Sequence, residues 1–229
     1  MKILIVAATW LEVKMLTDEF ELVEETTHIF KKYQLRNIQI DVLITGIGVT
    51  FTTFHLTNTL LANNYNLVIN AGIAGSLTRE LEIGEVVNVI SEEFGDLGIE
   101  NENEFLTLFD AGFLESGEFP FDNGVLRSVG LNGGFADLKK VRGLTTSKSH
   151  GRISSISEIK TKFSAQVESM EGAAVFFVCN WLGIDCCQIR AISNYVEPRD
   201  NASWNIPLAL QKLSETLLDV ISKKAVAVV

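Results

Sequence analysis

The chain has 229 residues, 47% hydrophobic and 21% charged, with 29 Asp and Glu against 19 Lys and Arg. That balance supplies a sizeable core and excludes disorder, a collagen-like repeat and a disulfide scaffold. With a net charge of −10 and no Lys/Arg run beyond two residues, it lacks the clustered basic face that nucleic acid or an anionic membrane would need.

The opening run Met1 to Ala8 is apolar after Lys2 but too short for a signal peptide. Trp10-Leu11-Glu12 follows where a small-residue cleavage site would stand. No stretch reaches the ~18 to 20 apolar residues of a membrane span. Only Cys179, Cys186 and Cys187 occur, a sparse and odd count that suits a reducing compartment. Cys186 and Cys187 are neighbours on a predicted strand, so they point to opposite faces as small buried groups. The expected location is the cytoplasm.

Ile3 to Ala8 reads as a strand buried on both faces. Leu11, Met15, Leu16 and Phe20 then recur at helical spacing. Residues 38–45 predict a strand that ends in Thr45-Gly46-Ile47-Gly48, with a helix following to about Asn63. Leu67 to Asn70 predicts another buried strand, stopped by Ala71-Gly72-Ile73-Ala74-Gly75, and Val86 to Ile90 the next. Residues 95–137 hold eight of the 17 glycines and no clean period, which predicts a long excursion with one short helix.

Order returns with a strand over Lys140 to Thr146 and a helix over Ser155 to Lys162. A helix runs from Met170 to Leu182, with Ser169 as its cap and Ala174, Val175, Val178 and Leu182 as its apolar stripe. A strand over Asp185 to Ser193 and an amphipathic helix from Trp204 to about Lys223 complete the chain. Strand and helix alternate without a linker. The pattern predicts one α/β domain over residues 1–229, a three-layer α/β/α sandwich around a mixed, mainly parallel sheet. In such sheets ligands gather at the carboxyl ends of strands, here after Ala8, Ile44, Asn70 and Ile192.

Several familiar motifs fail. Gly46-Ile47-Gly48 opens a dinucleotide fingerprint that Phe51 breaks, and there is neither a P-loop nor a nucleophile elbow. His28, His55 and His150 lack metal-ligand spacing, so no metal and no cofactor is expected. Four other residues stand out. Glu12, in the first turn after the first strand, is either a favourable charge at a helix N-terminus or an acid of a site. Glu171 falls on the buried stripe of its helix, where an ionised carboxylate needs donors. It bonds either its own helix end or a pair of ligand hydroxyls. Arg190 lies within a buried strand and requires an anionic or carbonyl partner. Asn194 ends that strand, as a turn residue or as a ligand contact.

Ala7-Ala8-Thr9-Trp10-Leu11-Glu12-Val13, Thr45-Gly46-Ile47-Gly48, Asn70 to Gly75, Glu168-Ser169-Met170-Glu171-Gly172-Ala173 and Arg190-Ala191-Ile192-Ser193-Asn194 follow one another in a recognisable order. In this the chain resembles the nucleoside phosphorylase/nucleosidase superfamily over nearly its whole length. Phe94 to Gly98 and Pro198-Arg199-Asp200 with Trp204 resemble its futalosine-cleaving branch.

The resemblance implies that Glu12 is the general base for water and that Glu171 holds the ribose hydroxyls. Met170 packs under the sugar, Arg190 places the water or its acid, and Trp204 covers the 5′ substituent. Ile47 and Ile73 line the substrate, and Arg199 either meets a carboxylate on it or forms a surface salt bridge. Asn194 stands where adenine-specific relatives have Asp, which implies a 6-oxo purine, and Ile73 stands where relatives often have Ser. An anion at Glu12 disfavours phosphate as nucleophile. The implied partners are a small nucleoside and a second copy of the chain, as a homodimer or larger assembly.

Overall fold

Ile3 to Ala7 is an unbroken apolar run because both sides of its strand are covered. The computed structural model describes residues 1–102, 104–128, 130, 134–198 and 203–227. In it β1 (Lys2–Ala7) lies between β4 (Ile38–Ile44) and β5 (Leu67–Ser76), parallel to both. Ile3 and Ile5 enter a core with α1 (Trp10–Thr17) and α5 (Ile206–Ala227). Leu4 and Val6 enter a second core with α2 (Val49–Ala62) and α4 (Gly172–Leu182). Alternate residues of one strand thus feed two helical layers, the expected sandwich. Cys187 and Cys186 divide between the same two cores, as their adjacency predicts.

On one side the sheet is extended by a hairpin that the sequence reading leaves unassigned, β2 (Glu21–Thr27) and β3 (Phe30–Leu35), which joins β4 antiparallel. β2 carries no apolar alternation to betray it and is exposed throughout, and of β3 only Tyr33 is buried, in the core shared with α1 and α5. Backbone pairing and the cross-strand ion pairs Lys32–Glu24 at 2.8 Å and Lys31–Glu25 at 3.0 Å hold the hairpin in place.

On the other side the sheet rolls up. β12 (Cys186–Tyr195) lies parallel to β5 and antiparallel to β6 (Val86–Phe94), and β10 (Lys139–Thr145) parallel to β6. The short β11 (Val167–Ser169) pairs with β10 and, antiparallel, with β5. The ring β5–β12–β6–β10–β11 is therefore closed. Val87, Val89, Val141 and Val167 pack with Ala74 and Ile192 in one apolar cluster of these strands.

Three expectations need correction. β5 does not stop at Asn70 but runs to Ser76. Its glycines are strand positions crossed closely by other side chains, not turn signals. Residues 95–137 contain no helix among the described residues. They form the β7 (Gly98–Glu100) and β8 (Phe105–Thr107) hairpin, turns, and β9 (Leu126–Arg127) on β6. The last helix begins at Ile206, two residues after Trp204. The helix near 155–162 is α3 (Ile153–Lys162). No described helix is long and apolar enough to cross a membrane.

Candidate active site

The pairing of β1 with β5 ends at Asn70, and β5 continues for six residues without it. The backbone groups on that edge need other partners. Glu12 supplies one. It stands at the third position of α1, and its Oε2 accepts the Thr9 N–H at 3.0 Å, as a carboxylate at a helix start does. Its Oε1 leaves the helix and accepts the Ile73 N–H at 3.2 Å. The helix-start alternative for Glu12 is thus present in one oxygen, while the other is turned to the β5 backbone. At Ile73 it is the backbone that engages Glu12. Burial raises the Glu12 carboxyl above its ordinary range. Arg190 and the two backbone donors pull it down, and Glu171 pushes it up.

Arg190 is 1% exposed and is paired across the sheet with Gly72. Nη1 donates to the Ile73 carbonyl at 3.5 Å, and Nη2 stands 3.6 Å from Glu171 Oε2. Nε and Nη2 have no hydrogen-bond partner among the described residues. Gly72 makes the arrangement possible. A Cβ there would overlap Arg190 Nη1 and sit 2.6 Å from Glu12 Oε1. The Glu12 carboxylate and the guanidinium therefore meet over one glycine.

Glu171 differs from its expected place. The helix begins at Gly172, not Met170, and Glu171 is the residue before it rather than a member of its buried stripe. Ser169 ends β11 and accepts the Gly172 N–H at 3.4 Å. Glu171 does not cap its own helix. Its Oε1 accepts the Gly48 N–H at 3.0 Å, reaching across to the turn before α2. That turn needs its glycines, since Gly46 and Gly48 have φ of 83° and 97°. Ile47 between them is 55% exposed, and Met170 beside Glu171 is half-buried.

Asn194 is buried in β12, one residue before its end, where a bulge at Ser193 shifts the register against β5. Ser193 Oγ donates to its Oδ1 at 2.8 Å, and its Nδ2 donates to the Tyr195 carbonyl at 3.0 Å. It lies over Gly75. Among the described residues no hydrogen bond or ion pair links it to Glu12, Arg190 or Glu171. Trp204 is half-buried, and the next residue, Asn205, donates its N–H to the Ser193 carbonyl at 2.8 Å. That bond brings the chain before α5 to the Asn194 end of β12. Arg199 lies outside the described residues. Sequence reasoning missed Gly72, the Ile73 amide and a buried polar group around Glu92. Its signal was isolated polar residues, Asn70, Gln188 and Glu92, inside apolar strands. Burial lifts the Glu92 carboxyl to about 7 although Gln188, Thr145 and Arg190 favour its ionised form.

Among the described residues no hydrogen bond or ion pair joins the histidines to Glu12, Arg190 or Glu171. His28 is exposed at the tip of the β2–β3 hairpin, and His55 is half-buried on α2. His150 is buried against Glu168, with its Nδ1 2.5 Å from Oε2. Among the described residues no group of three or more His, Cys, Asp or Glu is arranged to hold a metal ion.

The profile of the phosphorylase superfamily matches residues 2–223. The chain belongs to this superfamily. Among its superfamily relatives, the futalosine hydrolase of Streptomyces coelicolor is 31% identical over 67% of the chain and 64% of that protein. The aminodeoxyfutalosine nucleosidase of Helicobacter pylori strain 26695 is 28% identical over 86% of the chain and 84% of that protein. The 5′-methylthioadenosine/S-adenosylhomocysteine nucleosidase of Glaesserella parasuis is 28% identical over 98% of the chain and all of that protein. Among solved structures, a futalosine hydrolase of Helicobacter pylori superposes with a TM-score of 0.81 at 23% identity, covering 97% of each chain. That likeness shows that the superfamily fold is shared.

Proposed function

We propose that the chain hydrolyses the N-glycosidic bond of a purine ribonucleoside, futalosine, and releases hypoxanthine, a cytoplasmic step on the futalosine route to menaquinone. One observation carries the reading. The Glu12 carboxylate and a guanidinium with unsatisfied donors meet over Gly72, the Glu171 carboxylate stands 3.6 Å from the same guanidinium, and burial raises the Glu12 carboxyl.

In this reading Glu12 takes a proton from water as the water oxygen bonds to the anomeric carbon. The C–N bond breaks through an oxocarbenium-like state, its electron pair leaves with the base, and N7 is protonated from solvent. The Nε donor of Arg190, without a hydrogen-bond partner among the described residues, orients that water. Each oxygen of Glu171 has one protein partner and a lone pair to spare, enough to accept the two ribose hydroxyls. Its charge also favours the developing cation. Met170 and Ile73 line the sugar, and Trp204 covers the 5′ group. Two carboxylates against one cation disfavour phosphate, so water is the nucleophile.

Asn194 reads the base. Ser193 holds Oδ1 in place, and one N–H and one lone pair of the amide remain uncommitted. They fit the 6-oxo group and a protonated N7. A phosphate-free panel of futalosine, inosine, aminofutalosine and methylthioadenosine, read by release of free base, tests the reading. Futalosine is expected to react fastest. Asn194→Asp is expected to raise the adenine-to-hypoxanthine rate ratio by at least about 10-fold, because a mispaired buried polar group costs ~1–3 kcal/mol. The second reading, an adenine-releasing nucleosidase, is favoured by relatives of that kind that match over more of the chain. Faster release of adenine by the unaltered protein would establish it, and dependence on phosphate would overturn hydrolysis.

We also propose that two copies associate through α2. Its inner face buries Thr52, Leu56 and Leu60. Phe51, Phe54 and Leu61, on the outside, are 58–70% exposed and follow helical spacing, and Ile47 in the turn before α2 is 55% exposed. The stripe begins beside Gly48, which bonds Glu171, so a second copy seated there would border the sugar site. Phe51→Glu combined with Phe54→Glu is expected to halve the particle mass in light scattering. An unaltered protein that runs as a single chain would sink the proposal.

A further inference from the structure

Glu92 is a carboxylate that the proposed reaction does not use, and it is 1% exposed. It sits in a cradle left open by two glycines, since a Cβ at Gly143 or at Gly172 would overlap its Oε1. Gln188 Nε2 donates to Oε1 at 2.6 Å, and Thr145 Oγ1 donates to Oε2 at 2.9 Å. Behind them, Asn70 Nδ2 donates to Gln188 Oε1 at 2.8 Å, and the Ala173 N–H donates to Thr145 Oγ1 at 2.8 Å. Every hydrogen in this relay points towards Glu92.

Ala173 is the second residue of α4, and its N–H is one of the donors that a helix start leaves without an internal partner. A residue in the position of Glu171 would ordinarily satisfy such a donor with its own side chain. Glu171 does not, because its oxygens are turned to Gly48 and Arg190. Thr145 satisfies the Ala173 amide from within the barrel instead. A threonine hydroxyl has one hydrogen, and here Glu92 takes it, which leaves a lone pair for the helix.

We infer that Glu92 is a positioning residue for Glu171. Through Thr145 it satisfies the Ala173 N–H of α4 from below and so leaves the Glu171 carboxylate free for the sugar. The inference rests on the reading of Glu171 as the group that holds the ribose hydroxyls. Stability alone explains a buried network less well, since an apolar core of the same volume would serve.

The test compares kcat/KM for futalosine and 2′-deoxyfutalosine in the unaltered protein, Glu171→Gln, Glu92→Gln, Thr145→Val and Thr145→Ser. The unaltered protein is expected to prefer the ribonucleoside strongly, and Glu171→Gln to lose most of that preference. Glu92→Gln and Thr145→Val are expected to reduce the preference by about tenfold, the worth of one well-placed hydrogen bond to a charged group. Thr145→Ser keeps the hydroxyl and should retain it. Adding Glu92→Gln to Glu171→Gln should reduce it no further. If Glu92→Gln and Thr145→Val are slower but keep the full preference while Glu171→Gln loses it, Glu92 is only structural and the inference fails. If Glu171→Gln itself keeps the preference, the sugar-anchor reading fails and the inference with it. Should Glu92→Gln not fold, the valine and serine pair at Thr145 decides alone.

Discussion

Glu12→Gln is expected to slow base release by about 10²- to 10⁴-fold, the usual worth of a general base. Substrate binding, measured by titration calorimetry, should change by far less. The amide keeps the size of the side chain and can still accept one of the two backbone hydrogen bonds that Thr9 and Ile73 now donate. What it cannot do is take a proton. The pH profile supplies an independent check. A base must be ionised to act, and burial raises the Glu12 carboxyl. Activity should therefore fall on acidification at a higher pH than an ordinary exposed carboxylate would give. The residual activity of Glu12→Gln should lack that acid limb. A variant that turns over at the normal rate would remove Glu12 from the chemistry.

Gly72→Ala should be comparably damaging without altering any reacting group. Gly72 does not have a positive φ, so alanine can adopt its backbone without strain. The added methyl would occupy the space of the Arg190 guanidinium and crowd Glu12 Oε1 at 2.6 Å. Arg190 is fully buried and has nowhere to retreat. Overpacking of this kind costs ~1–3 kcal/mol in stability. A shift of about 1 Å in a catalytic group costs about 100-fold in rate. The expected result is a lowered Tm and kcat reduced by about two orders of magnitude. Shortening the arginine in the same background, as Gly72→Ala with Arg190→Met, should recover Tm but not kcat. Normal turnover by Gly72→Ala would show that base and guanidinium do not need their present spacing.

Much of the architecture is legible in the residues because burial leaves a clear pattern. A strand such as Ile3 to Ala7, apolar at every position, has to be covered on both sides. The β2–β3 hairpin is hidden for the opposite reason. Its outer strand is held by main-chain pairing and exposed charges, and neither leaves an apolar period; β3 buries Tyr33 alone. The segment from Ala71 to Gly75 misleads, because glycine marks both a turn and a strand crossed closely by side chains. Only the positions of Arg190 and Glu12 distinguish the two. Of the candidate site, Glu12, Arg190 and Glu171 come together as their chemistry suggests. The backbone partners Ile73 and Gly48 cannot be read from side-chain types. Nor can Glu171 be assigned to a cap position from its spacing, which fits a buried helical stripe equally well.

The rolled half of the sheet satisfies its own margin when β11 pairs with β5, and β2 is left at the outer end of the strand order. An unpaired margin is where chains of this kind template one another into aggregates. Here it carries Glu21, Glu24 and Glu25 on a strand exposed at every position. Glu24 and Glu25 are paired with Lys32 and Lys31, so what opposes two copies approaching margin to margin is Glu21 and the charge of −10 on each molecule. Charge of one sign thus opposes edge-to-edge pairing at the last strand of the sheet.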